Sequence, residues 1–296
     1  MKHIMLIVNP YSGKGKAKEL LCDIISQFGA HGYILTVYVT GNGHKSSYFA
    51  ETYGSEYDIA VCIGGDGTLS DTVNGVMHLP YEKRPCLGYI PMGTANDVAT
   101  TLRLPSDPTQ AVTAVANGSP VALDIGKFGD DLYFTYIAAF GAFTEVSYAT
   151  PQNMKNSLGH LAYVLGGIGS LPSIKEHHVR IEYDGGTIDD SFIFGGVTNT
   201  TSVAVIVKFS PDDVKLGDGL FEVILVKKPV SLADLSKTVS SVLKQNMETD
   251  NILMLHTSKI KFTFDEPVKW TRDGEAGGEY TQIEIGNCRE AVKVML

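Results

Sequence analysis

Ile59-Ala60-Val61-Cys62-Ile63-Gly64-Gly65-Asp66-Gly67-Thr68-Leu69-Ser70-Asp71 runs from an unbroken apolar stretch into a glycine-rich turn and then into a helical pattern reaching His78. An apolar run without alternation marks a strand buried on both faces, which belongs to a parallel sheet covered by helices. The three glycines at 64, 65 and 67 cost chain entropy that a mere connection does not need. They make sense where phosphate oxygens pack against bare backbone amides at a helix start. Asp66 would then meet a phosphate-bound Mg2+, directly or through water, because hard cations take oxygen ligands. The plain alternative is a tight turn with Thr68 as helix cap.

The same strand, loop and helix unit recurs on both sides. Strands are predicted at His3–Val8, Ile34–Thr40, Ile59–Ile63 and Leu87–Ile90, and helices at Ala17–Phe28, His44–Tyr53, Leu69–His78 and Asn96–Leu102. That order signals an α/β domain with a parallel sheet. After residue 122 the pattern changes. Leu132–Ala139, Val179–Tyr183, Phe192–Val197, Val203–Val207, Leu220–Val226, Lys259–Phe264 and Gln282–Ile285 read as strands, with helices at Ser157–Leu171 and Leu232–Gln245. This half is expected to be mostly antiparallel, a β-sandwich. The expected domains are 1–122, 123–288, and a terminal strand at 289–296 returning to the first domain.

Composition bounds the function. Of 296 residues, 44% are hydrophobic and 19% charged, enough for a sizeable core, and the net charge of −9 argues against nucleic acid as a partner. The four cysteines show no C-x-x-C spacing, and Cys62 and Cys86 lie in apolar runs as small core residues, consistent with a reducing cytoplasm. No apolar stretch reaches spanning length, and the first, Ile4–Val8, is too short for a signal peptide core.

Four further elements carry chemistry. Asn9-Pro10-Tyr11-Ser12-Gly13-Lys14-Gly15 follows the first strand, where ligands bind in a parallel sheet, and also suits a simple turn; it lacks Walker A spacing. Pro91-Met92-Gly93-Thr94-Ala95-Asn96-Asp97 ends the fourth strand and should lie near Asp66; Thr94 and Asn96 suit phosphate binding or helix capping, and Asp97 a partner for a basic residue or a solvated first-turn acid. Trp270-Thr271-Arg272-Asp273-Gly274-Glu275 offers two carboxylates, either of which could take the proton of an attacking hydroxyl, although Asp-Gly is also a common hairpin turn. Lys215-Leu216-Gly217-Asp218-Gly219-Leu220 suits a hard cation or a plain turn.

Together, N-P-x-S-G, G-G-D-G-T and P-x-G-T-x-N-D in this order resemble the diacylglycerol kinase catalytic-domain family, which includes bacterial soluble lipid kinases and the sphingosine and ceramide kinases. Thr40 with Gly43-His44, Leu123–Gly126, Ala139–Gly141, Leu158–Leu165, Lys215–Leu220 and Asp273–Glu275 extend the likeness over nearly the whole chain. The resemblance implies an NAD kinase-like and diacylglycerol kinase-like α/β domain. It implies ATP held by Asn9, Pro10, Tyr11, Ser12, Gly13 and Thr40 on the adenosine side. Gly64, Gly65, Asp66, Gly67, Thr68, Leu69, Ser70, Asp71, Thr94 and Asn96 would hold the phosphates, with Asp66 close to Mg2+. Asp273 or Glu275 would be the base, and a structural Mg2+ would rest on Asp218 with the carbonyls of Lys215 and Leu220. The implied activity is transfer of the γ-phosphate of ATP to a hydroxyl of diacylglycerol or a related lipid. The implied protein is cytoplasmic, peripheral at the membrane through transient surface contact, binds no nucleic acid and is compatible with a homodimer. The apolar stretch 158–168 suits a lipid pocket, a bilayer contact or an ordinary core helix. Two features depart from the family pattern: Ser202–Phe209 lacks glycines usual before K-x-x-D-G-L, and Arg272 precedes the carboxylates where an uncharged residue is usual. The rival readings are an NAD kinase-like enzyme and a non-catalytic nucleotide- or lipid-binding protein.

Overall fold

The structure is a computed structural model and describes residues 2–41, 43–142, 175–200, 202–203, 207–208, 215–231, 233–234, 237–238, 241 and 250–296. The helices expected at Ser157–Leu171 and, for the most part, at Leu232–Gln245 lie outside these residues, as does the stretch 158–168. The chain divides into two compact units, Met1–Ile125 with Arg289–Leu296, and Gly126–Cys288.

In the first unit, β1 (His3–Val8), β2 (Ile34–Val39), β3 (Ile59–Gly64) and β4 (Cys86–Pro91) are parallel neighbours in the order β4-β3-β1-β2. Ile4, Leu6, Val61, Ile63 and Ile90 are buried with Phe28, Val112 and Met295 in one core. The helices are α1 (Lys16–Glu19), α2 (Leu21–Ala30), α3 (Ser46–Tyr53), α4 (Asp66–Met77), α5 (Asp97–Thr101) and α6 (Pro108–Asn117). The single helix expected over Ala17–Phe28 is thus divided at Leu20. Helix α6 carries its own start signal: Asp107 accepts the Gln110 amide at 3.0 Å, with Pro108 in the first turn.

The second unit is built from β5 (Pro120–Phe128, entering from the first unit), β6 (Leu132–Phe134), β7 (Ile137–Gly141), β8 (His177–Tyr183), β9 (Gly186–Phe192), β10 (Phe194–Thr198), the short β11 (Ser202–Val203) and β12 (Val207–Lys208), β13 (Phe221–Val226), β14 (Ile252–Thr257), β15 (Lys259–Arg272) and β16 (Glu275–Met295, which ends in the first unit). Antiparallel pairing runs β14-β13-β10-β7-β15, and β15 also pairs with β8 and β16. Trp270, fully buried, meets Phe128, Phe140 and Phe262 at ring centroid distances of 5.0–5.5 Å. The fold class is the expected one: a parallel α/β half and an antiparallel half.

One contact decides how α3 and α4 pack. A carbon added at Gly75 would lie 2.2 Å from the Ser47 carbonyl oxygen and 2.8 Å from Ala50 Cβ. Helix propensity favours alanine there by roughly 1 kcal/mol, but overpacking against a backbone carbonyl costs about 1–3 kcal/mol. Gly75→Ala should therefore lower the melting temperature; an unchanged or raised value in calorimetry would contradict this packing.

Candidate active site

The strand-end loops of the first unit meet through glycine. A carbon added to Gly93 would stand 2.8 Å from Gly65 Cα, and one added to Gly65 would stand 3.1 Å from Gly93 Cα. The Gly64–Thr68 and Pro91–Asp97 segments therefore touch backbone to backbone. A carbon at Gly13, whose φ is 63°, would approach the Met92 carbonyl to 3.2 Å, so the first loop closes on the same place. Asn9 stitches it there: Nδ2 donates to Thr68 Oγ1 at 3.2 Å, and Oδ1 accepts the Tyr11 amide at 3.1 Å. Thr40 sits at the root of that loop, its amide donating to the Val8 carbonyl at 2.8 Å.

Asp66 opens α4 and is half-buried. Its Oδ2 accepts the Asp97 amide at 3.1 Å and its Oδ1 the Val98 amide at 3.3 Å. The carboxylate thus caps α5, whose own N-cap residue, Asn96, makes no side-chain cap bond. Asn96 instead closes the turn before it, accepting the Gly93 amide at 2.8 Å and donating to the Gly93 carbonyl at 3.0 Å. Asp97 is buried rather than solvated.

The expected phosphate-side residues divide by exposure. Thr94 is exposed, Gly65, Asp66, Gly67, Thr68 and Asp71 are half-buried, and the Leu69 and Ser70 side chains are buried. Those two bring only backbone to a ligand. Tyr11 is 82% exposed. Sequence reasoning passed over Tyr89, whose hydroxyl donates to Asn96 Oδ1 at 3.3 Å and to Asp66 Oδ1 at 3.5 Å. The signal was there: a tyrosine in a fully buried strand needs a partner for its hydroxyl. Cys62, beneath this loop, is inert: burial pushes its thiol up to about 12.

In the second unit, Arg272-Asp273-Gly274-Glu275 forms a two-residue hairpin between β15 and β16, with Arg272 opposite Glu275. Asp273 (φ 48°) and Gly274 (φ 79°) are both left-handed, as such a turn requires. Glu275 is exposed, whereas Asp273 is 3% exposed. Its Oδ2 accepts the Thr135 amide at 2.7 Å and the Thr135 hydroxyl at 2.8 Å, and its Oδ1 accepts the amides of Tyr136 at 3.0 Å and Ile137 at 3.1 Å. The Arg272 guanidinium donates to the Tyr133 carbonyl. The single strand expected over Leu132–Ala139 is broken at Thr135 and Tyr136 because these amides turn to Asp273 instead of a ladder.

In the Lys215–Leu220 loop, Asp218 Oδ1 accepts the Leu220 amide at 2.9 Å, the Leu220 carbonyl accepts Asn287 Nδ2 at 3.3 Å, and the Leu216 carbonyl accepts Asn199 Nδ2 at 3.5 Å. Among the described residues no three His, Cys, Asp or Glu side chains gather to hold a metal. A cation here would rest on one carboxylate and carbonyls, an all-oxygen set that suits Mg2+ or Ca2+.

The description "Diacylglycerol kinase catalytic domain" matches residues 3–128, and "YegS C-terminal NAD kinase beta sandwich-like domain" matches residues 138–294. A diacylglycerol kinase of Bacillus subtilis is 35% identical over 281 residues, covering 94% of this chain and 91% of that protein. One from Staphylococcus epidermidis is 36% identical over 280 residues, covering 94% and 87%. The chain belongs to the diacylglycerol kinase family. A crystal structure of a candidate diacylglycerol kinase from Bacillus anthracis strain Sterne superposes with a TM-score of 0.85 at 25% identity, over 99% of this chain and 96% of that one. Within the diacylglycerol kinase family, then, the catalytic-domain match ends at residue 128, close to the division between units at Ile125.

Gly93→Ala should push the Gly65 and Gly93 backbones apart and weaken binding of a fluorescent ATP analogue by at least about tenfold, with circular dichroism unchanged. Undiminished binding would show that the glycine junction is only a packing device.

Proposed function

We propose that this chain is an ATP-dependent lipid kinase that transfers the γ-phosphate to a hydroxyl of diacylglycerol or a related lipid. The observation that carries this is the close approach of Gly65 and Gly93, which leaves no room for a side chain between the two loops, in a chain whose relatives are named diacylglycerol kinase. On this reading residues 1–122 bind ATP, 123–288 bind the lipid, and 289–296 complete the first domain. Asn9–Gly13 and Thr40 take the adenosine side, and Gly64–Asp71, Thr94 and Asn96 the phosphates.

Asp66 would hold Mg2+, which when bound would neutralise charge on the phosphate oxygens; its half exposure and carboxylate oxygens support that role. A structural cation at Asp218, Lys215 and Leu220 fits the same chemistry. Of the two hairpin carboxylates, Glu275 is the one we assign as base, because it is exposed and Asp273 is saturated. Glu275 accepts the hydroxyl proton as the lipid oxygen attacks the γ-phosphorus in line, the bond from that phosphorus to the β–γ bridging oxygen breaks, and ADP leaves with the bridging oxygen. A lipid acceptor implies transient contact with a membrane surface. No helix among the described residues is long and apolar enough to cross a membrane.

The test is transfer of labelled γ-phosphate, with Mg2+, to a lipid panel in mixed micelles. Glu275→Gln should cut turnover by about 10²–10⁴-fold. Asp66→Asn, which keeps one of the two oxygens that accept the α5 amides, should do at least as much damage. Full activity of Glu275→Gln would remove it as the base, and absence of transfer to every lipid with ATP binding intact would overturn the kinase reading.

A further inference from the structure

The tip of a two-residue hairpin is ordinarily the wettest part of a strand pair. Here its first residue is dry: Asp273 is 3% exposed, beside an exposed Gly274, and both its carboxylate oxygens are fully engaged, each by two donors. The Asp273 amide also donates to the Ile137 carbonyl at 2.8 Å. Asparagine would satisfy the turn's left-handed backbone as well as aspartate does. It could not satisfy the donors, because one of its two oxygens is replaced by an NH2 group facing N–H groups. The chemistry of this position therefore requires a carboxylate for its acceptors, beyond any requirement for a turn.

The same feature argues against Asp273 as a proton acceptor. A proton arriving on either oxygen would have to displace an amide or hydroxyl donor, leaving a buried polar group unpaired. What the bonds do achieve is fixation. The donors come from Thr135 and Tyr136, between β6 and β7, and from Ile137, the first residue of β7. The preceding residue, Arg272, grips the Tyr133 carbonyl in the same segment. The segment is anchored on its far side as well: the Tyr136 carbonyl accepts the Thr198 hydroxyl at 2.7 Å and the Asn199 amide at 3.1 Å, at the end of β10. Gly274 is exposed, and a carbon added there would stand 3.5 Å from the Tyr136 hydroxyl. Glu275 leaves this clamp two residues after Asp273, facing solvent.

We propose that Asp273 is a positioning residue: it clamps the hairpin onto Thr135–Ile137 so that Glu275 is held in one place and direction for proton acceptance. This rests on the kinase reading above, in which Glu275 is the base. A base works only within hydrogen-bond reach of its proton, and misplacement by about 1 Å costs up to roughly a hundredfold. A flexible two-residue loop would allow that much drift; the clamp removes it.

The test is a double-mutant cycle on the full chain, Asp273→Asn and Glu275→Gln alone and combined, with kcat and KM for ATP measured on the lipid that the wild type phosphorylates. Asp273→Asn should lower kcat by about ten- to a hundredfold with KM for ATP changed less than about twofold. The combined variant should be no slower than Glu275→Gln alone, because residues acting as one unit are non-additive. Thr135→Ala, which removes one donor and leaves the carboxylate in place, should lower kcat by about two- to fivefold and serves if Asp273→Asn folds poorly. Multiplying losses in the combined variant would make Asp273 an independent catalytic group and overturn the proposal. So would undiminished kcat in Asp273→Asn or Thr135→Ala with only a lowered melting temperature, which would reduce the clamp to a stability device. Absence of transfer by the wild type overturns the kinase reading, and the positioning role with it; transfer by the wild type with either of the other outcomes overturns the positioning role alone.

Discussion

Every buried amide outside a helix or a ladder must find an acceptor, and leaving one unpaired costs about 1–3 kcal/mol out of a total stability of roughly 5–15 kcal/mol. Aspartates meet that need at the places that matter most in this chain. Asp66 takes the first amides of α5, Asp124, fully buried, takes the Glu290 amide at 2.6 Å, and Asp273 takes the two amides between β6 and β7 and the first of β7. Each joins segments distant in sequence. The loops that form the candidate site are irregular, and without these acids their backbone would have no satisfied conformation to hold.

This explains why the site was legible as motifs and only partly as geometry. The glycines of Gly64-Gly65-Asp66-Gly67 and Gly93 announced close backbone approach, and the structure brings Gly65 and Gly93 together. Whether an acid faces a ligand or serves its own backbone depends on contacts across 31 residues for Asp66 and about 137 for Asp273, and no local pattern encodes those. The Asp-Gly hairpin reading of residues 273–274 described the backbone correctly; what it could not supply was the burial.

The fold shows the same division. The parallel strands were plain because burial on both faces leaves unbroken apolar runs, as in Ile59–Ile63. The polar strand β9, with Thr187, Asp189 and Asp190, has one wet face and a weak signature. Strand β15 was expected to end at Phe264, and Pro267 follows in the sequence. It continues to Arg272, and the proline falls where the pairing register shifts between Thr263 and Val268, the place a strand tolerates it. Gly277 and Gly278 likewise masked the length of β16; Gly278 has φ 99°, a conformation that glycine supplies inside a strand.

The last eight residues belong to the unit that begins the chain. Val294 pairs with Leu87, Leu296 exchanges backbone bonds with Ser119 at 2.8 and 3.1 Å, and Arg84 donates to the Ala291 carbonyl at 2.7 Å. On the ribosome, where domains usually close in the order they are made, this one cannot. Its first 125 residues emerge with β4 lacking a neighbour and Met295 missing from the core, and must wait for the whole of Gly126–Cys288 to be synthesised. The unit that holds the parallel sheet is thus completed only after the other unit has been made, and its edge stays open for the time that takes.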